Sequence, residues 1–556
     1  MRVLPRFLLS IFLLSSFAWS DEGHHHVLSQ EELGSVHFKT SCMENIAADF
    51  TRAVALLHSF QYEQADQAFT EVASKDPNCA MAQWGVAMAN YHGLWENGDT
   101  DRGRAALDKA TELTTAQKGI SAREKAYIDA LGEIYKQDGK DNYARSQAFE
   151  QKMGTLQAEF PEDTEAAIFH ALTLAITAPK TDKTFANQRK CGEILEPIFQ
   201  KQPQHPGVAH YLIHCYDNPV LAEKALPAAR AYAKIAPASA HAHHMPSHIF
   251  TRVGLWDESI TSNSTSEAVA AKAEETSKNG EARDQRLHAM DYLEYAYLQS
   301  GRVKQAKSVF DELQSLPPVS GLTLTGNYAT ASIPARYAVE LGNWKDASKL
   351  RVDETGVPWA QAITWMAIGV GNARVGNLDR AKQAEQTLAS LREAIAAKKN
   401  TYWSNQVEVQ RREVAAWIAE RSGKHDDAVI GMRAATELEE SMDKHAVTPG
   451  AITPAREMLA QLLLLQNQAK QAVAEYETVL KVAPNRFNAL YGAATAADQA
   501  AADGTTAAGF RQHRCSVSRS NAGEFVEGYP LPPGGILGVK FFYSIACGWL
   551  VSAKYS

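Results

Sequence analysis

The chain has 556 residues, a net charge of −8 and no block of basic residues, which argues against nucleic acid as its main partner. With 45% hydrophobic residues it can bury a large core, and no central segment is long and apolar enough to form a membrane helix. We therefore expect a folded protein that does not bind nucleic acid.

The first 20 residues have the pattern of a secretory signal peptide. Arg2 and Arg6 flank the start of an apolar run over 7–19 that is too short to span a bilayer comfortably. Ala18 and Ser20 are the small residues that signal peptidase needs at its cleavage site. We expect a signal peptide over 1–20, a flexible leader over 21–40, a periplasmic or secreted protein, and no membrane span in the mature repeat region.

Small residues and turn residues recur with the spacing of the tetratricopeptide (TPR) repeat, a 34-residue helix–turn–helix unit. This unit needs alanine at position 20, where its two helices approach too closely for a larger side chain. Six frames, each set by a Gly or Pro at the expected turn, place alanine there: Ala65, Ala306, Ala347, Ala381, Ala428 and Ala472. We predict an all-α, tetratricopeptide-repeat-type α-solenoid, a right-handed superhelix of antiparallel helix pairs.

The repeats divide into three stretches. We expect degenerate helices over 41–200, central histidine-rich repeats over 201–318 and C-terminal repeats over 319–509. Helical periodicity stops after about residue 510, where a Gly/Pro-rich run is followed by an apolar one. The tail over 510–556 is therefore predicted to be irregular, either membrane-associated or non-native, and poorly ordered.

Six cysteines in a chain expected to be exported favour disulfides. Cys42 and Cys79 each precede the first helix of adjacent repeats and should lie at the same end of neighbouring helices, so we predict that they form a disulfide. Cys191 and Cys215 fall near the meeting ends of two antiparallel helices. They are either a second disulfide or a pair of buried thiols.

Two histidine pairs in the central repeats are separated by one repeat length (244 − 210 = 34; 248 − 214 = 34). His210 and His214 share a helix face, as do His244 and His248, because residues four apart are neighbours on a helix. His241 stands at position 2 of the second of these repeats, and packed helices lie about 8–10 Å apart. The imidazoles should therefore converge on the concave groove.

Two features of neighbouring residues bear on this grid. One repeat further along the chain, His288 and Asp291 fall at positions 2 and 5. Pro246 lies within the second pair, and proline breaks or kinks a helix. Either the helix begins at Pro246, which would leave 241–244 in a loop, or the helix kinks there.

Four stretches resemble one family. Residues 56–60 (LLHSF), 79–85 (CAMAQWG), 210–214 (HYLIH) with Tyr216 and Asp217, and 241–250 (HAHHMPSHIF) are similar to exported bacterial TPR proteins of uncharacterised function with an H-A-x-H-M-P-S-H-I-F motif. The likeness covers most of residues 36–500, is specific in the histidine-rich motif, and does not extend to the tail. It implies a helical solenoid and an extracytoplasmic setting, and it implies no reaction.

The histidines allow three interpretations. First, neutral imidazoles of His210, His214, His241, His244 and His248 bind a zinc, copper or iron ion, with Asp217 or Asp291 supplying a carboxylate. Second, they only satisfy hydrogen bonds between helices. Third, they line a concave groove that recognises an anionic ligand. In this interpretation Arg252, Asp291 and Arg336 contribute to the same groove.

Aromatic residues near the N-terminus extend the third interpretation. Trp84 and Tyr91 either form the floor of the groove or pack between repeats. The architecture favours an exported scaffold that binds a protein or peptide through its concave surface; the alternative is a metal-binding protein or a metal-dependent enzyme. No cofactor is certain beyond the metal ion of this alternative. No phosphate-binding loop, nucleophile elbow or H-E-x-x-H motif is present, so enzyme activity is unsupported and not excluded.

Overall fold

The computed structural model describes residues 29–95, 98–117, 119–136, 139, 141–276, 280–319 and 321–502. The predicted signal peptide and the tail over 510–556 lie outside these residues, as does most of the leader. Within the described ranges the chain forms α-helices and two short 3-10 helices, Glu44–Ile46 and Ala222–Ala225, and no strand.

The α-helices follow one another with short connections. The N-terminal helices are α1 (Gln30–Leu33), α2 (Ala47–His58), α3 (Tyr62–Lys75), α4 (Ala80–Ala89), α5 (Thr100–Ala116), α6 (Ala122–Tyr135), α7 (Asn142–Glu159), α8 (Thr164–Ile176) and α9 (Ala186–Lys201). The central helices are α10 (Pro206–Tyr216), α11 (Leu226–Ile235), α12 (Ala240–His244), α13 (Pro246–Arg252), α14 (Trp256–Thr276), α15 (Gly280–Gln299) and α16 (Val303–Ser315). The C-terminal helices are α17 (Leu324–Glu340), α18 (Trp344–Ala347), α19 (Pro358–Val375), α20 (Leu378–Ala397), α21 (Thr401–Arg421), α22 (His425–Glu440), α23 (Ala455–Leu465), α24 (Ala469–Val482) and α25 (Phe487–Ala502).

Stacked helix pairs make this chain an all-α, TPR-type solenoid, as predicted. All six alanines expected at helix crossings are fully buried: Ala65, Ala306, Ala347, Ala381, Ala428 and Ala472. At one such crossing, between α3 and α4, a Cβ added to Gly85 would overlap the ring of Phe69. Close approach of the paired helices therefore depends on small side chains at fixed positions in each repeat.

The described part of the leader is packed against the repeats. Leu33, Val36 and Phe38 are buried in the N-terminal core, and the amide of Ser35 donates to the carbonyl of Gln204 at 2.9 Å. The prediction of a flexible leader up to residue 40 is wrong for this part, because its apolar side chains fill space that the first helices leave open.

Two large cores lie at the two ends of the solenoid, one built from residues 33–250 and the other from 328–496. The C-terminal helices also return to the central ones. The indole of Trp256 donates to the carbonyl of Asn485 at 2.8 Å. The fully buried Arg486 binds the carboxylates of Glu340 and Glu457. These contacts close the superhelix on itself.

The connection between α22 and α23, residues 441–454, crosses the concave side. Its backbone binds the central helices: the carbonyl of Val447 accepts from His288 at 2.9 Å, and the carbonyl of Thr448 accepts from Tyr292 at 2.8 Å. The ammonium of Lys444 lies 2.7 Å from Asp217. The groove that the sequence predicted to be open is therefore partly filled by the chain itself.

Both cysteine pairs are bonded. Cys42 is joined to Cys79, with Cα atoms 4.9 Å apart, and Cys191 is joined to Cys215, with Cα atoms 6.1 Å apart. The second pair had two interpretations, and the structure has the disulfide. In the part of the chain that is described, we find no helix with the length and apolar character needed to cross a membrane.

Candidate metal centre

Helix α10 positions the first two histidines. The ring of His205 caps its start by accepting from the amide of Val208 at 3.3 Å, and Pro206 occupies the first turn, where a missing amide costs nothing. His210 and His214 follow one turn apart on the same face, as their spacing predicted. His210 is fully buried.

Helices α12 and α13 are one helical path interrupted at Pro246. Met245, between them, has helical dihedral angles (φ −53°, ψ −37°), and its amide still donates to the carbonyl of His241 at 2.9 Å. Of the two alternatives for Pro246, the structure therefore has the helix that kinks there. Residues 241–244 are helical and do not form a loop. His241, His244 and His248 consequently stay on the face that meets α10.

The first triad consists of His210, His214 and His241. The Nε2 atom of His210 lies 3.1 Å from Nε2 of His214 and 3.1 Å from Nε2 of His241. Phe60 covers the triad, with its ring centroid 4.4 Å from that of His210. Three ring nitrogens thus converge beneath an aromatic lid.

The second triad consists of His244, His248 and His288. The Nε2 atoms of His244 and His248 are 3.0 Å apart, and the ring centroids of His244 and His288 are 4.1 Å apart. His288 comes from α15 and was not among the predicted ligands. Its signal was present, since it occupies the same repeat position as His241.

The two triads are adjacent. The centroids of His214 and His248 are 6.1 Å apart, as are those of His241 and His244. In each triad one ligand atom of every side chain lies within 4.8 Å of the other two. We call the six residues the histidine cluster; the structure thus brings together all five predicted histidines and adds a sixth.

Acceptors outside the cluster fix where the ring protons lie. Nδ1 of His210 is 2.7 Å from the carbonyl of His58, and Nδ1 of His244 is 2.8 Å from Oδ1 of Asn263. Asn263 uses its amide group to donate to the carbonyl of Ser259, so its oxygen is an acceptor. Because an acceptor demands a proton on its partner, Nδ1 of both histidines carries hydrogen and Nε2 carries a lone pair.

His248 is held in the same tautomer. Its Nδ1 lies 3.0 Å from the carboxylate of Asp217, and the hydroxyl of Tyr292 beside it already donates to Thr448. Asp217 also binds Arg252 and Lys444, and these cations hold the pKa of its carboxyl well below its ordinary value. A carboxylate that cannot donate leaves His248 as the donor at Nδ1, and therefore with a lone pair on Nε2.

His244 and His248 thus point two lone pairs at each other across 3.0 Å. Such a contact is repulsive unless a proton or a metal ion lies between the nitrogens. Two nitrogens bound to one tetrahedral zinc ion at about 2.0–2.1 Å lie roughly 3.3 Å apart, close to the distances in both triads. Ring N–H groups directed to carbonyls and carboxylates are the usual support of histidine ligands.

Burial of the histidine rings disfavours a proton between the facing nitrogens. It lowers the pKa of His210 and of His288 to about 3, and it lowers the pKa of His244 well below the ordinary value. The neighbouring imidazoles add to this effect, because a second positive charge close by is unfavourable. The cluster is therefore neutral near pH 7, which is the state that binds metal ions.

One side of the cluster opens on a cavity of about 290 Å³, which we call the acidic cavity. His241, His244 and His288 line it, and its walls also carry carboxylates and aromatic rings but, among the described residues, no lysine or arginine. Those carboxylates are Glu63, Asp66, Asp99, Glu281 and Asp284. Small neutral or cationic species can therefore reach both triads.

A third buried group, His58, Glu165 and His205, has the composition of a metal site but not its proton pattern. Nε2 of His58 and Nε2 of His205 lie 3.0 and 2.9 Å from the two carboxylate oxygens of Glu165. The other ring nitrogens accept from Tyr211 and from the amide of Val208. Every ring nitrogen is used, so this group is a complete hydrogen-bond network.

The charged residues predicted to line an open groove are placed differently. Arg336 and Asp291 are fully buried and joined by a 2.8 Å ion pair, and Arg336 also binds Glu294. Arg252 binds Asp217 and Asp443. Their placement in an open groove was predicted wrongly, because closure of the superhelix pairs these charges with one another. The carboxylate of Asp291 binds Arg336 and is not positioned as a ligand in the histidine cluster. The carboxylate of Asp217 binds Nδ1 of His248 and so supports the cluster.

The aromatic residues also pack between repeats. Trp84 is buried against Phe38 and Phe169, so of its two alternatives the structure has packing between repeats and not the groove floor. The half-buried Tyr91 donates or accepts a hydrogen bond with Ser146 at 2.9 Å. Phe60, which sequence reasoning placed only in a family motif, adopts a left-handed backbone (φ 53°) to cover the first triad.

No family model and no curated protein matches the chain. Among solved structures it is similar to yeast Tom70, with 9% identity over 82% of this chain and 88% of that one and a TM-score of 0.32. It is also similar to the APC/C hetero-tetramer Cut9–Hcn1 (12% identity, 81% and 76% covered, TM-score 0.34) and to the human IFIT1 dimer with m7Gppp-AAAA (11%, 80% and 95%, 0.33). With TM-scores this low, the fold assignment depends on the helices and buried alanines described above.

Proposed function

We propose that the protein binds two transition-metal ions, one on each triad of the histidine cluster, and presents them to molecules in the acidic cavity. The observation that carries the proposal is the pair His244 and His248, whose Nδ1 protons are committed to Asn263 and Asp217 and whose Nε2 lone pairs face each other. A bound cation removes this repulsion.

The ligands favour particular metals. Neutral imidazoles suit zinc, copper, iron and nickel, and magnesium or calcium would require oxygen ligands. Three histidines leave at least one coordination position open, as in catalytic sites, whereas structural zinc sites usually have four protein ligands. A metal ion held this way supplies a Lewis acid or a redox centre to a small molecule, so the proposal includes a metal-dependent enzyme.

Elemental analysis of the protein, purified without an affinity tag, tests the proposal. We expect close to two equivalents of zinc, copper or iron in the wild-type protein. The variant His244→Ala/His248→Ala should lose one equivalent, because two of three ligands of the second triad are gone. Substituting His210 and His214 as well should remove the other.

His243→Ala is the matched control. His243 lies in the same motif, but its ring binds the carbonyl of Pro237 and takes no part in the cluster. Its removal should leave the metal content unchanged. Folded wild-type protein that takes up no metal on incubation with these ions, or that loses the same amount in the control as in the double variant, would refute the proposal.

We further propose a periplasmic or secreted location. The support is the two disulfides, Cys42–Cys79 and Cys191–Cys215, since disulfides persist in oxidising compartments and are rare in the cytosol. Fractionation of the native host tests this: cleavage near residue 20 and recovery outside the cytoplasm are expected, and reduced, full-length cytoplasmic protein would contradict it.

Protein or peptide binding is the second candidate, because stacked helix pairs form extended binding surfaces. It ranks second because residues 441–454 occupy part of the concave side and Arg252 and Arg336 are paired internally. A stoichiometric complex with one protein that persists in the His244→Ala/His248→Ala variant, together with metal-free wild type, would favour this candidate over the first.

A further inference from the structure

A second cavity, of about 540 Å³, lies on the other side of residues 441–454, between them and helices α17, α19 and α21. We call it the aromatic cavity. Its walls include Tyr328, Met366, Tyr402, Trp403 and Val409. The ring of Trp403 is fixed by stacking on Trp359, with centroids 4.4 Å apart. Part of the cavity wall is therefore aromatic and apolar.

Another part of the cavity wall is acidic. Glu413 lines it, is only 2% exposed, and has no hydrogen-bond or ion-pair partner among the described residues. Glu439 lies close enough to interact with it and accepts only the amide of Ala455, at 2.9 Å. Arg456 and Arg486 act on Glu439 only from a distance, because Arg456 binds Glu440 and Glu475 directly and Arg486 binds Glu340 and Glu457.

Two further polar atoms in the wall lack partners within the described ranges. They are Oε1 of Gln410, one turn before Glu413 on α21, and Oγ1 of the buried Thr453. Buried polar atoms without a partner are rare in folded proteins. A ligand that carries hydrogen-bond donors can satisfy the amide oxygen and the ionised carboxyl groups of this wall.

The cationic side chains that line the cavity do not form a matching site for an anion. Arg252 and Lys444 are balanced by Asp217 and Asp443, and Lys183 is exposed to water. The buried wall groups that lack a partner among the described residues are thus Glu413 and the polar atoms beside it, and they favour a cation.

We propose that the aromatic cavity binds an elongated organic cation, with its ammonium or guanidinium group at Glu413 and Glu439 and its apolar body along Trp403 and Val409. This site is separate from the histidine cluster and does not depend on the proposed metal ions. Burial raises the pKa of Glu439 to about 7 and raises the pKa of Glu413 well above its ordinary value, which favours the neutral carboxyl forms without a ligand. A bound cation favours their ionised form and should release protons.

Calorimetric titration with three matched probes tests the proposal: tryptamine, a cation; 3-ethylindole, a neutral molecule; and indole-3-propionate, an anion. We expect tryptamine to bind at least about tenfold more tightly than the neutral probe, since one charged hydrogen bond to a buried group contributes roughly that factor. Binding at pH 7 should release protons, measured as a dependence of the heat on the buffer.

Two substitutions locate the site. Glu413→Gln keeps the shape of the side chain and should reduce both the preference for tryptamine and the proton release, because only Glu439 remains to bind the cation. Glu408→Gln, on the same helix but paired with Arg411 and Arg412, should change neither. The thermal midpoint of each variant shows whether it has folded.

Three results would overturn the proposal. They are equal affinity for tryptamine and 3-ethylindole, tighter binding of the anion, and no binding of any probe to the folded wild type. The His244→Ala/His248→Ala variant should bind tryptamine with unchanged affinity. If affinity falls there instead, the amine is a metal ligand and the assignment to Glu413 is wrong, whereas metal content decides the fate of the metal proposal separately.

Discussion

Two buried groups of three side chains can be compared directly: the network of His58, Glu165 and His205, and the second triad of His244, His248 and His288. The side chains of both groups are buried, and both groups bring ligand atoms within 4.8 Å of one another. In the Glu165 network each imidazole donates to the carboxylate and accepts from a neighbour. In the second triad the donors of His244 and His248 point outwards and their acceptors point inwards.

The difference shows that residue types and distances do not distinguish a candidate metal site from a structural network, whereas the direction of the ring protons distinguishes the two. Where acceptors such as Asn263 and Asp217 draw the protons outwards, inward-facing lone pairs remain, and these are the groups that the proposed metal ion would bind. Where the acceptor lies at the centre, as Glu165 does, the network is complete without one.

The largest effect is expected from Glu165→Ala, which removes the centre of the complete network. Two buried ring N–H groups lose their acceptor, so the free energy of unfolding should fall by about 5 kcal/mol. Denaturant titration of metal-free protein measures this, and metal content should not change. A variant that stays as stable as the wild type would mean that Glu165 is dispensable for the fold.

Zinc should stabilise the protein through the second triad and not through the Glu165 network. Free zinc at about 1,000 times its Kd should raise the free energy of unfolding by about 4 kcal/mol for one site in the wild type. Thermal unfolding with and without zinc measures the shift. The His244→Ala/His248→Ala variant, which lacks the second triad, should gain less, and an equal gain in both proteins would place the ion elsewhere.

Asp217→Asn sharpens the comparison by changing only the support of His248. Loss of the carboxylate should weaken metal binding to the second triad about 10- to 100-fold, roughly 1.4–2.7 kcal/mol. Competition with a coloured chelator measures the affinity. Asp291→Asn is the control, since Asp291 is also a buried carboxylate paired with an arginine; a similar loss there would indicate a general loss of stability.

The smallest effect concerns His445, a half-buried imidazole outside both groups whose Nδ1 accepts the amide of Val447 at 3.4 Å. Burial lowers the pKa of His445 to about 3, below the value of about 6.5 in the unfolded chain. Between these two pKa values only the unfolded chain binds a proton at this ring. The stability that the neutral ring of His445 contributes is therefore lost as the pH falls below about 6.5. His445→Gln should reduce the loss of stability between pH 7.5 and 5.5 by about 1.4 kcal/mol. Urea titrations at both pH values measure this, and identical pH dependence in the two proteins would contradict it.

The sequence was most informative where the repeat governs the structure. Alanines such as Ala65 and Ala428 marked the helix crossings, and the 34-residue step brought His210 and His244 to one wall. Local spacing suffices for these features because each repeat contacts its neighbours. His288 carried the same signal, and only its omission from the ligand set was an error.

The ion-pair partners of the buried charged side chains could not be predicted from the repeat spacing. Arg336 faces inwards as its repeat position predicts, but what it meets depends on how far the superhelix closes, and that depends on small rotations added over many repeats. Residues 441–454 illustrate the same limit. They contact His288 across more than 150 positions of sequence, so no local pattern places them on the concave side.

The proposed metal centre would depend on a residue that follows all six of its histidines in the chain. The carbonyl that orients His288 belongs to Val447, so a chain that ends before position 447 has all six imidazoles but lacks part of their support. Under the metal proposal, such truncated products should retain metal poorly even though every histidine of the cluster is present.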